Sequence, residues 1–171
     1  MTFHILTIFP KLFEPYLSQS IIGRGVERGK IRTKIYDLRK FTKGKHHKVD
    51  EKVYGGGPGM VIAVGPLSRA LAQILKGKSK RKTLVILTAP AGKEFSNKLA
   101  AVWAKKYEHL VIIAGRYEGF DERIKSVIKK GLRFSVQDVS VGPYVLTGGE
   151  IPALILVDAT ARQIPGILGK N

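Results

Sequence analysis

The chain of 171 residues is long enough for one globular domain with its own core, and its 44% of hydrophobic residues excludes a disordered protein. It has no cysteine, which excludes a disulfide scaffold, a thiolate zinc site and thiol catalysis. Thirty Lys and Arg residues against thirteen Asp and Glu give a net charge of +17, which favours a polyanionic partner, RNA or DNA, over a merely solvated surface. The sequence shows no basic leader, no apolar run of about 18 residues and no basic amphipathic helix, so we expect a cytoplasmic protein without a membrane partner.

The first part of the chain predicts two strands separated by a helix. Residues Phe3–Phe9 are nearly all apolar and β-prone and are followed by a proline, as is typical of a buried strand. Residues Leu12–Glu27 predict a helix, with two internal glycines that weaken its end. The alternation of Ile31–Leu38 predicts the second strand.

A long polar and basic connection, Arg39–Met60, comes next. Connections of this length inside a compact domain are usually functional or disordered. The neighbouring His46 and His47 have no third ligand at a suitable spacing, so a solvated or RNA-facing role is favoured over a metal site. The glycine-rich Gly55–Gly59 lacks the pattern of a phosphate loop, and its spacing alone predicts a flexible turn.

From residue 66 onward strands and helices alternate regularly. Helical faces are predicted at residues 67–75, 99–103 and 120–128, the last followed by Gly131, and a buried helix is predicted after Glu150. Strands are predicted at Thr83–Leu87, Leu110–Ala114 and Arg133–Val141. This alternation predicts an α/β fold with a mostly parallel sheet and helices on both faces.

Three loops follow predicted strands and should meet at one edge of the sheet, because ligands of such sheets bind beyond the carboxyl ends of the strands. They contain Pro90–Gly92, Gly115–Gly119 and Val141–Gly149. Gly148 and Gly149 directly precede the last helix, and we expect them to leave its first N–H groups and the positive end of its dipole free for a ligand.

Four motifs in these segments resemble one family closely: Tyr54–Met60, Gly115–Gly119 with Asp121–Arg123 after it, Tyr144–Glu150, and Ile164–Gly166. They are similar, in order and spacing over the whole chain, to the bacterial tRNA (guanine-N1)-methyltransferases that modify guanine 37 beside the anticodon. The resemblance implies the SPOUT fold with a deep trefoil knot near its carboxyl end, a rare exception to unthreaded connections. It also implies S-adenosylmethionine bound in the knot, Mg²⁺ in catalysis, an antiparallel homodimer with sites at the subunit interface, and the tRNA anticodon stem-loop, not DNA, as partner.

The resemblance also implies roles for individual residues. Cofactor binding falls on three loops, whose glycines would keep the cleft open: Leu87, Thr88, Ala89, Pro90, Gly115, Tyr117, Glu118, Gly119, Val141, Gly142, Tyr144, Leu146, Gly148, Gly149 and Pro152. Binding of the tRNA and its target base falls on Arg24, His46, Asp50, Gly55, Gly56, Gly57, Pro58, Gly59 and Met60. Glu118 would lie beside the methyl donor and the target base, and Arg162 would face the guanine O6. Without the resemblance, Glu118 is a helix-start carboxylate and Arg162 a surface charge.

Methylation at guanine N1 requires a base for the N1 proton and a cation or donor near O6. In the family the base is an aspartate of a linker leading to a helical tRNA-binding domain. We expect both to be absent from residues 1–171, whether these are a fragment of a longer protein or a minimal natural version. Asp158 lies within the last predicted helix, poorly placed to replace it. We therefore expect residues 1–171 to be a SPOUT domain that binds cofactor but methylates tRNA weakly or not at all. Three departures from the family pattern are Val53, the run Ala89–Ala91, and Pro143, which could alter cofactor affinity.

Three other hypotheses compete with this one. A SPOUT methyltransferase with another RNA target fits the same fold, although the Gly55–Met60 loop is peculiar to the guanine-37 group. A non-catalytic basic RNA-binding module fits the net charge and predicts salt-sensitive binding without a cofactor. A dinucleotide-dependent oxidoreductase would suit the α/β alternation, but the fingerprint GxGxxG is absent after the first strand.

Overall fold

The structure, a computed structural model, describes residues 1–52 and 59–168. The strands in chain order are β1 Thr2–Thr7, β2 Arg32–Asp37, β3 Asp50–Lys52, β4 Met60–Ile62, β5 Thr83–Glu94, β6 His109–Ile113 and β7 Ser135–Ser140. The helices are α1 Glu14–Leu17, α2 Ser20–Glu27, α3 Val64–Leu75, α4 Asn97–Lys106, α5 Arg123–Ser126, which continues as a π-helix Val127–Leu132, and α6 Glu150–Ala161. Short 3₁₀ turns lie at Pro10–Leu12, Leu38–Phe41 and Lys80–Lys82.

Five strands form one sheet in the order β2-β1-β6-β5-β7, and all of its neighbouring pairs are parallel. A separate antiparallel pair joins β3 to β4. The predicted α/β fold with a mostly parallel sheet is therefore confirmed. Within the part of the chain that the structure describes, each helix is too short or too polar to cross a membrane.

The sheet is buried on both faces, which explains why its strands are continuous apolar runs. Alternate residues of a strand point to opposite faces, so each central strand contributes to two cores. One core joins the sheet to α2, α4 and α6 and includes Phe3, Ile5, Leu84, Ile86, Ile112, Trp103 and Leu156. The other joins it to α3 and α5 and includes Leu6, Val85, Leu87, Val111, Ile113, Leu71 and Ile124.

The predicted helix Leu12–Glu27 is wrong in its boundaries. The structure breaks it at Gln19, whose backbone is extended, and leaves two separate helices, α1 and α2. The part predicted to be weak, with both glycines, is the longer and more regular one. A Cβ at Gly23 would lie 2.6 Å from the carbonyl carbon of Ser18, so this glycine lets α2 pack against the preceding turn and does not break the helix.

The predicted helix at residues 120–128 also differs. Phe120 precedes the helix and forms a bridge with Ile62, and α-helical geometry covers only Arg123–Ser126 before the π-helical segment. Gly131 lies inside that segment and does not follow it. The left-handed residue that ends the segment is Arg133, with φ of 60°, a position that glycine most often takes.

Candidate active site

A cleft of about 370 Å³ lies at a bulge of β5 and beyond the carboxyl ends of β6 and β7. Its walls come from the loops around residues 87–91, 115–120 and 141–149 and from the first turn of α6. The first of these loops is a bulge inside β5: Thr88 and Lys93 both pair with Val139 of β7, and the residues between them leave the sheet. The three loops predicted to share one ligand pocket do meet around one cavity.

A buried carboxylate ties two of these loops to the sheet. Glu150, only 4% exposed, accepts hydrogen bonds from Thr7 Oγ1 at 3.1 Å and from Arg116 Nε at 3.0 Å. Arg116 also donates from Nη1 to the carbonyl of Thr147 at 3.1 Å. One ion pair thus connects β1, the loop after β6 and the start of α6. Sequence reasoning missed it, although an acidic residue at the head of an apolar helix was a visible signal.

A second set of bonds locks the glycine turn against the earlier loops. Gly149 N donates to Gly115 O at 2.7 Å, Gly115 N donates to Thr88 Oγ1 at 2.9 Å, and that hydroxyl donates to Ile113 O at 3.1 Å. A Cβ at Gly149 would collide with Thr88 Oγ1 and Gly115 N.

The expectation that the first N–H groups of α6 are free for a ligand stays a prediction. The N–H of Gly149, the residue before the helix, donates to the protein's own Gly115, and Glu150 places a carboxylate in the first turn of α6. Glycine is required at position 149 because the turn before α6 touches Thr88 and Gly115 there. This requirement does not depend on the space that a ligand would need.

The residues predicted to bind a cofactor lie around the cleft, with one exception. Gly142 does not line it; its N–H and carbonyl are both bonded to the hydroxyl of Ser140, at 3.3 and 2.9 Å. The cleft wall also includes charged residues that sequence reasoning missed: Arg116, Glu122, Lys125 and Asp138.

Lys125 lies on one side of the cleft, where two carboxylates neutralise its positive charge. Its Nζ lies 2.6 Å from Asp138 Oδ2 and 3.0 Å from Glu122 Oε2. The hydrogen bond that Lys125 donates to Asp138, with a further one donated to Glu122, raises the pKa of Lys125. Asp138 interrupts an otherwise ordinary strand sequence, and that interruption was the available signal.

Some residues predicted to contact tRNA adjoin the cleft. Tyr117 has a left-handed backbone with φ of 59°, and its pKa is raised by burial and by the charge and hydrogen bonding of Asp50. Glu118 N donates to Met60 O at 3.0 Å. A Cβ at Gly59 would lie 2.6 Å from Glu118 Cγ. Asp50, Gly59 and Met60 therefore meet the cleft at its Tyr117–Glu118 corner.

Other predicted residues are not brought to this corner. Arg24 lies exposed on α2, and His46 is exposed without lining the cleft. Gly55, Gly56, Gly57 and Pro58 lie outside the described residues. Arg162 caps the carboxyl end of α6, a 12-residue helix about 18 Å long whose first turn lines the cleft. Within one chain, Glu118 and Arg162 are therefore at separate places.

Within 1–52 and 59–168 there is no group of three or more His, Asp or Glu side chains that could hold a metal ion. His47 is engaged otherwise: its Nδ1 lies 3.1 Å from Thr42 Oγ1 and 3.2 Å from Arg39 O. Within this part of the chain the available side chains do not form a donor set for the Mg²⁺ that the resemblance implies.

The parallel sheet and the partly apolar cleft at the carboxyl ends of its strands are typical of α/β domains that bind small organic ligands. The family model described as "tRNA (Guanine-1)-methyltransferase TrmD" matches residues 1–171. The chain belongs to this family, and the resemblance stated from its motifs is confirmed.

Individual relatives agree with the family model. The chain is 45% identical over 165 residues to the tRNA (guanine-N(1)-)-methyltransferase of Dictyoglomus turgidum, covering 96% of the chain and 62% of that protein. It is 43% identical over 171 residues to the protein of the same name from Persephonella marina, covering 100% of the chain and 63% of the relative. For Moorella thermoacetica the identity is 41% over 169 residues, covering 99% and 65%. The chain thus spans less than two thirds of the length of these relatives.

Proposed function

We propose that this chain forms the S-adenosylmethionine-binding methyltransferase domain of an enzyme that methylates N1 of guanine 37 in tRNA, in the cytoplasm. The observation that carries the proposal is the single cleft that gathers three loops of the family's motifs, with Glu118 held against Met60 at its rim. Membership of the family supports the reaction and the tRNA substrate.

The cleft suits a cofactor with an apolar base and a polar tail. Its volume of about 370 Å³ falls in the range of roughly 300 to 1,000 Å³ typical of small-molecule sites. Tyr144, Val145 and Leu146 stand exposed at its wall, Val145 by 81%, and a bound ligand would remove this apolar surface from water. Thr88, Gly115 and Gly149 are already bonded to one another, so the wall is formed before a ligand arrives.

The chemistry assigns separate tasks to the residues at the cleft. Bound S-adenosylmethionine would supply a methyl group on a positively charged sulfur. Glu118, at the rim between Tyr117 and Met60, would hold the guanine edge beside that group by accepting its N–H hydrogen bonds. A base would take the N1 proton, a task that the resemblance assigns to an aspartate of the family's linker. A cation near O6 would stabilise the negative charge that develops on the guanine, and Arg162 is the residue we propose for this cation.

Arg162 requires a second copy of the chain to reach a cleft, because it lies at the far end of α6. Ile151 and Ile155 of α6 are exposed, Ile151 by 59%, and they share a helical face with Asp158 and Arg162. Tyr16, which is also exposed, donates to Asp158 Oδ2 at 2.5 Å and extends this face. We propose that the face pairs two copies and presents Arg162 to the partner's cleft.

Sedimentation measurements test this pairing. The chain should sediment as a dimer and the variant Ile151→Glu as a monomer, because the substitution places a charge in the apolar contact. The control Val102→Glu changes an exposed apolar residue of α4 and should leave the dimer intact. A monomeric unsubstituted chain at every concentration would contradict the proposed pairing.

The trefoil knot remains a prediction. It is supported by the carboxyl-terminal turn at Gly149, which is bonded to Gly115 in the loop after β6 and lies against Thr88 of β5.

Calorimetric titration with S-adenosylmethionine tests the cofactor site. We expect micromolar-range binding by the chain, loss of binding in Ala89→Trp, which fills the bulge of β5 at the cleft, and unchanged binding in the control Val102→Trp on α4. The guanine base itself is tested by replacing guanine 37 in a tRNA hairpin, which should weaken binding in the presence of cofactor. If the unsubstituted chain takes up no cofactor, a basic RNA-binding module becomes the better description.

A further inference from the structure

The end of the sheet opposite the cleft is formed by the connections that lead from helices into strands. In the registers of the parallel pairs, Thr2 lies beside Arg32 and His109, His109 beside Thr83, and Leu84 beside Ser135, so the strands begin at one common edge. Four segments reach this edge, and together they are called the basic edge: residues 27–32, 76–82, 105–109 and 129–135.

The basic edge holds most of the protein's excess charge. Its 25 residues contain thirteen Lys and Arg and only two acidic residues, Glu27 and Glu108, so it carries a net +11 of the chain's +17. All thirteen cations except the half-buried Lys78 are exposed. The surplus that composition alone reveals is therefore concentrated on one surface.

These charges are hardly neutralised by the protein itself. Among the described residues, the ion pair on this surface is Lys82 to Glu108, at 3.8 Å and with both side chains largely exposed. The pKa of Lys78 is lowered by its partial burial and by the charge of Lys34. His109, on the same edge, has its pKa lowered by burial and by Lys78. Cations thus repel one another here, and a bound anion would relieve that repulsion.

A groove of about 560 Å³ gives part of the edge a definite shape. It lies between the end of α4 and the start of β7, and Lys106, Lys129 and Arg133 line it. The ammonium of Lys106 lies 5.2 Å from the centre of the Tyr107 ring, which holds it over an aromatic face. Three cations that converge on an open groove suit a phosphate group.

We propose that the basic edge is a binding surface for the phosphate backbone of folded RNA, separate from the place where the target nucleotide would be held. RNA is favoured over a lipid surface because none of the large exposed apolar side chains lies in these four segments, whereas membrane binding of this kind inserts apolar groups. The strands separate the edge from the cleft by roughly 16 Å. One RNA molecule could meet both ends only by wrapping around the domain; a second segment of RNA could bind the edge alone.

The test compares two variants with the same loss of charge. One carries Lys80→Gln, Arg81→Gln, Lys106→Gln and Lys129→Gln on the basic edge. The control carries Lys11→Gln, Lys40→Gln, Lys93→Gln and Lys98→Gln, four exposed lysines elsewhere. Fluorescence anisotropy measures binding of a labelled RNA duplex of about 16 base pairs, without any anticodon loop, over a range of salt concentrations.

The basic-edge variant should bind about 100-fold more weakly at low salt, and the slope of log K against log salt should become shallower by about 3, because about four phosphate contacts are lost. The control should stay within about twofold of the unsubstituted chain. Equal losses in both variants, or binding to vesicles of phosphatidylglycerol and phosphatidylcholine but not to the duplex, would overturn the proposal.

Cofactor binding by the same variants separates this inference from the proposed reaction. The basic-edge variant should bind S-adenosylmethionine like the unsubstituted chain, since the substituted residues lie at the opposite end of the sheet. Retained cofactor binding with lost duplex binding supports the surface. Unchanged duplex binding in the basic-edge variant overturns it, whatever the cofactor does.

Discussion

The two ends of the sheet differ in how far their charged side chains are paired with opposite charges. At the cleft, acidic and basic side chains are paired: Glu150 with Arg116, and Asp138 and Glu122 with Lys125. At the basic edge, thirteen cations meet two carboxylates. Charges at the cleft hold loops in position, whereas charges at the basic edge are left for a partner. The cleft therefore uses paired charges to hold its own structure, and the basic edge, at the other end of the same domain, attracts a polyanion.

Removal of the Glu150 charge at the cleft should have the largest effect on the free energy of unfolding. Glu150→Gln leaves Arg116 without its carboxylate in a poorly hydrated position and weakens the bond to Thr7. We expect a loss of about 3 kcal/mol in the free energy of unfolding, measured with urea. The matched control is Glu122→Gln, whose carboxylate is largely exposed beside Lys125; it should cost less than about 1 kcal/mol.

Equal losses in the free energy of unfolding of these two variants would show that the pair of Glu150 and Arg116 stabilises the fold no more than a surface ion pair does. The proposed tie between β1 and two cleft loops would then be wrong. A loss of cofactor binding in Glu150→Gln without a loss of stability would instead assign the carboxylate to the ligand.

Protonation of His4, near the basic edge, should have a smaller effect on the free energy of unfolding. His4 of β1 is buried, with Nδ1 3.0 Å from Tyr36 Oη and Nε2 3.2 Å from His109 Nδ1. Burial, together with the positive charges of Lys78, His109 and Lys34, lowers its pKa from 6.5 to about 3. The unfolded chain therefore binds a proton at this residue between about pH 6.5 and pH 3, while the folded chain does not.

Stability from this residue is complete above pH 6.5 and declines as the pH falls toward 3, because protons then favour the unfolded state. We expect a loss of about 1 to 2 kcal/mol between pH 6.5 and pH 5. Urea titrations at pH 7, 6 and 5 measure it, and His4→Leu should make the dependence flatter. Asp121, whose pKa the hydrogen bonds from Arg123 lower from 3.8 to about 2, titrates below the pH range of these measurements. An unchanged slope in His4→Leu would contradict this account.

The candidate site could be located from the sequence to a large extent. Each strand followed by a glycine-containing loop places that loop at the carboxyl edge, so the loops at Pro90, Gly115 and Gly149 could be assigned to one cleft before any coordinates. The roles of individual side chains at the site could not be predicted as well from the sequence. Glu150 and Thr7 are 143 residues apart, and no local pattern relates them. The need for glycine at position 149 likewise depends on Thr88, far away in the chain.

Hydrophobic periodicity and the +17 charge determined the α/β class, the parallel sheet, the edge where a ligand would bind and the expectation of a polyanionic partner, because these follow from local pattern and composition. Tertiary structure alone decided the break between α1 and α2, the left-handed turn at Arg133 and the pairing of Glu150. It also decided that most of the charge meets on one surface. Parallel strands all begin at the same edge, so basic segments that are distant in the chain become neighbours there.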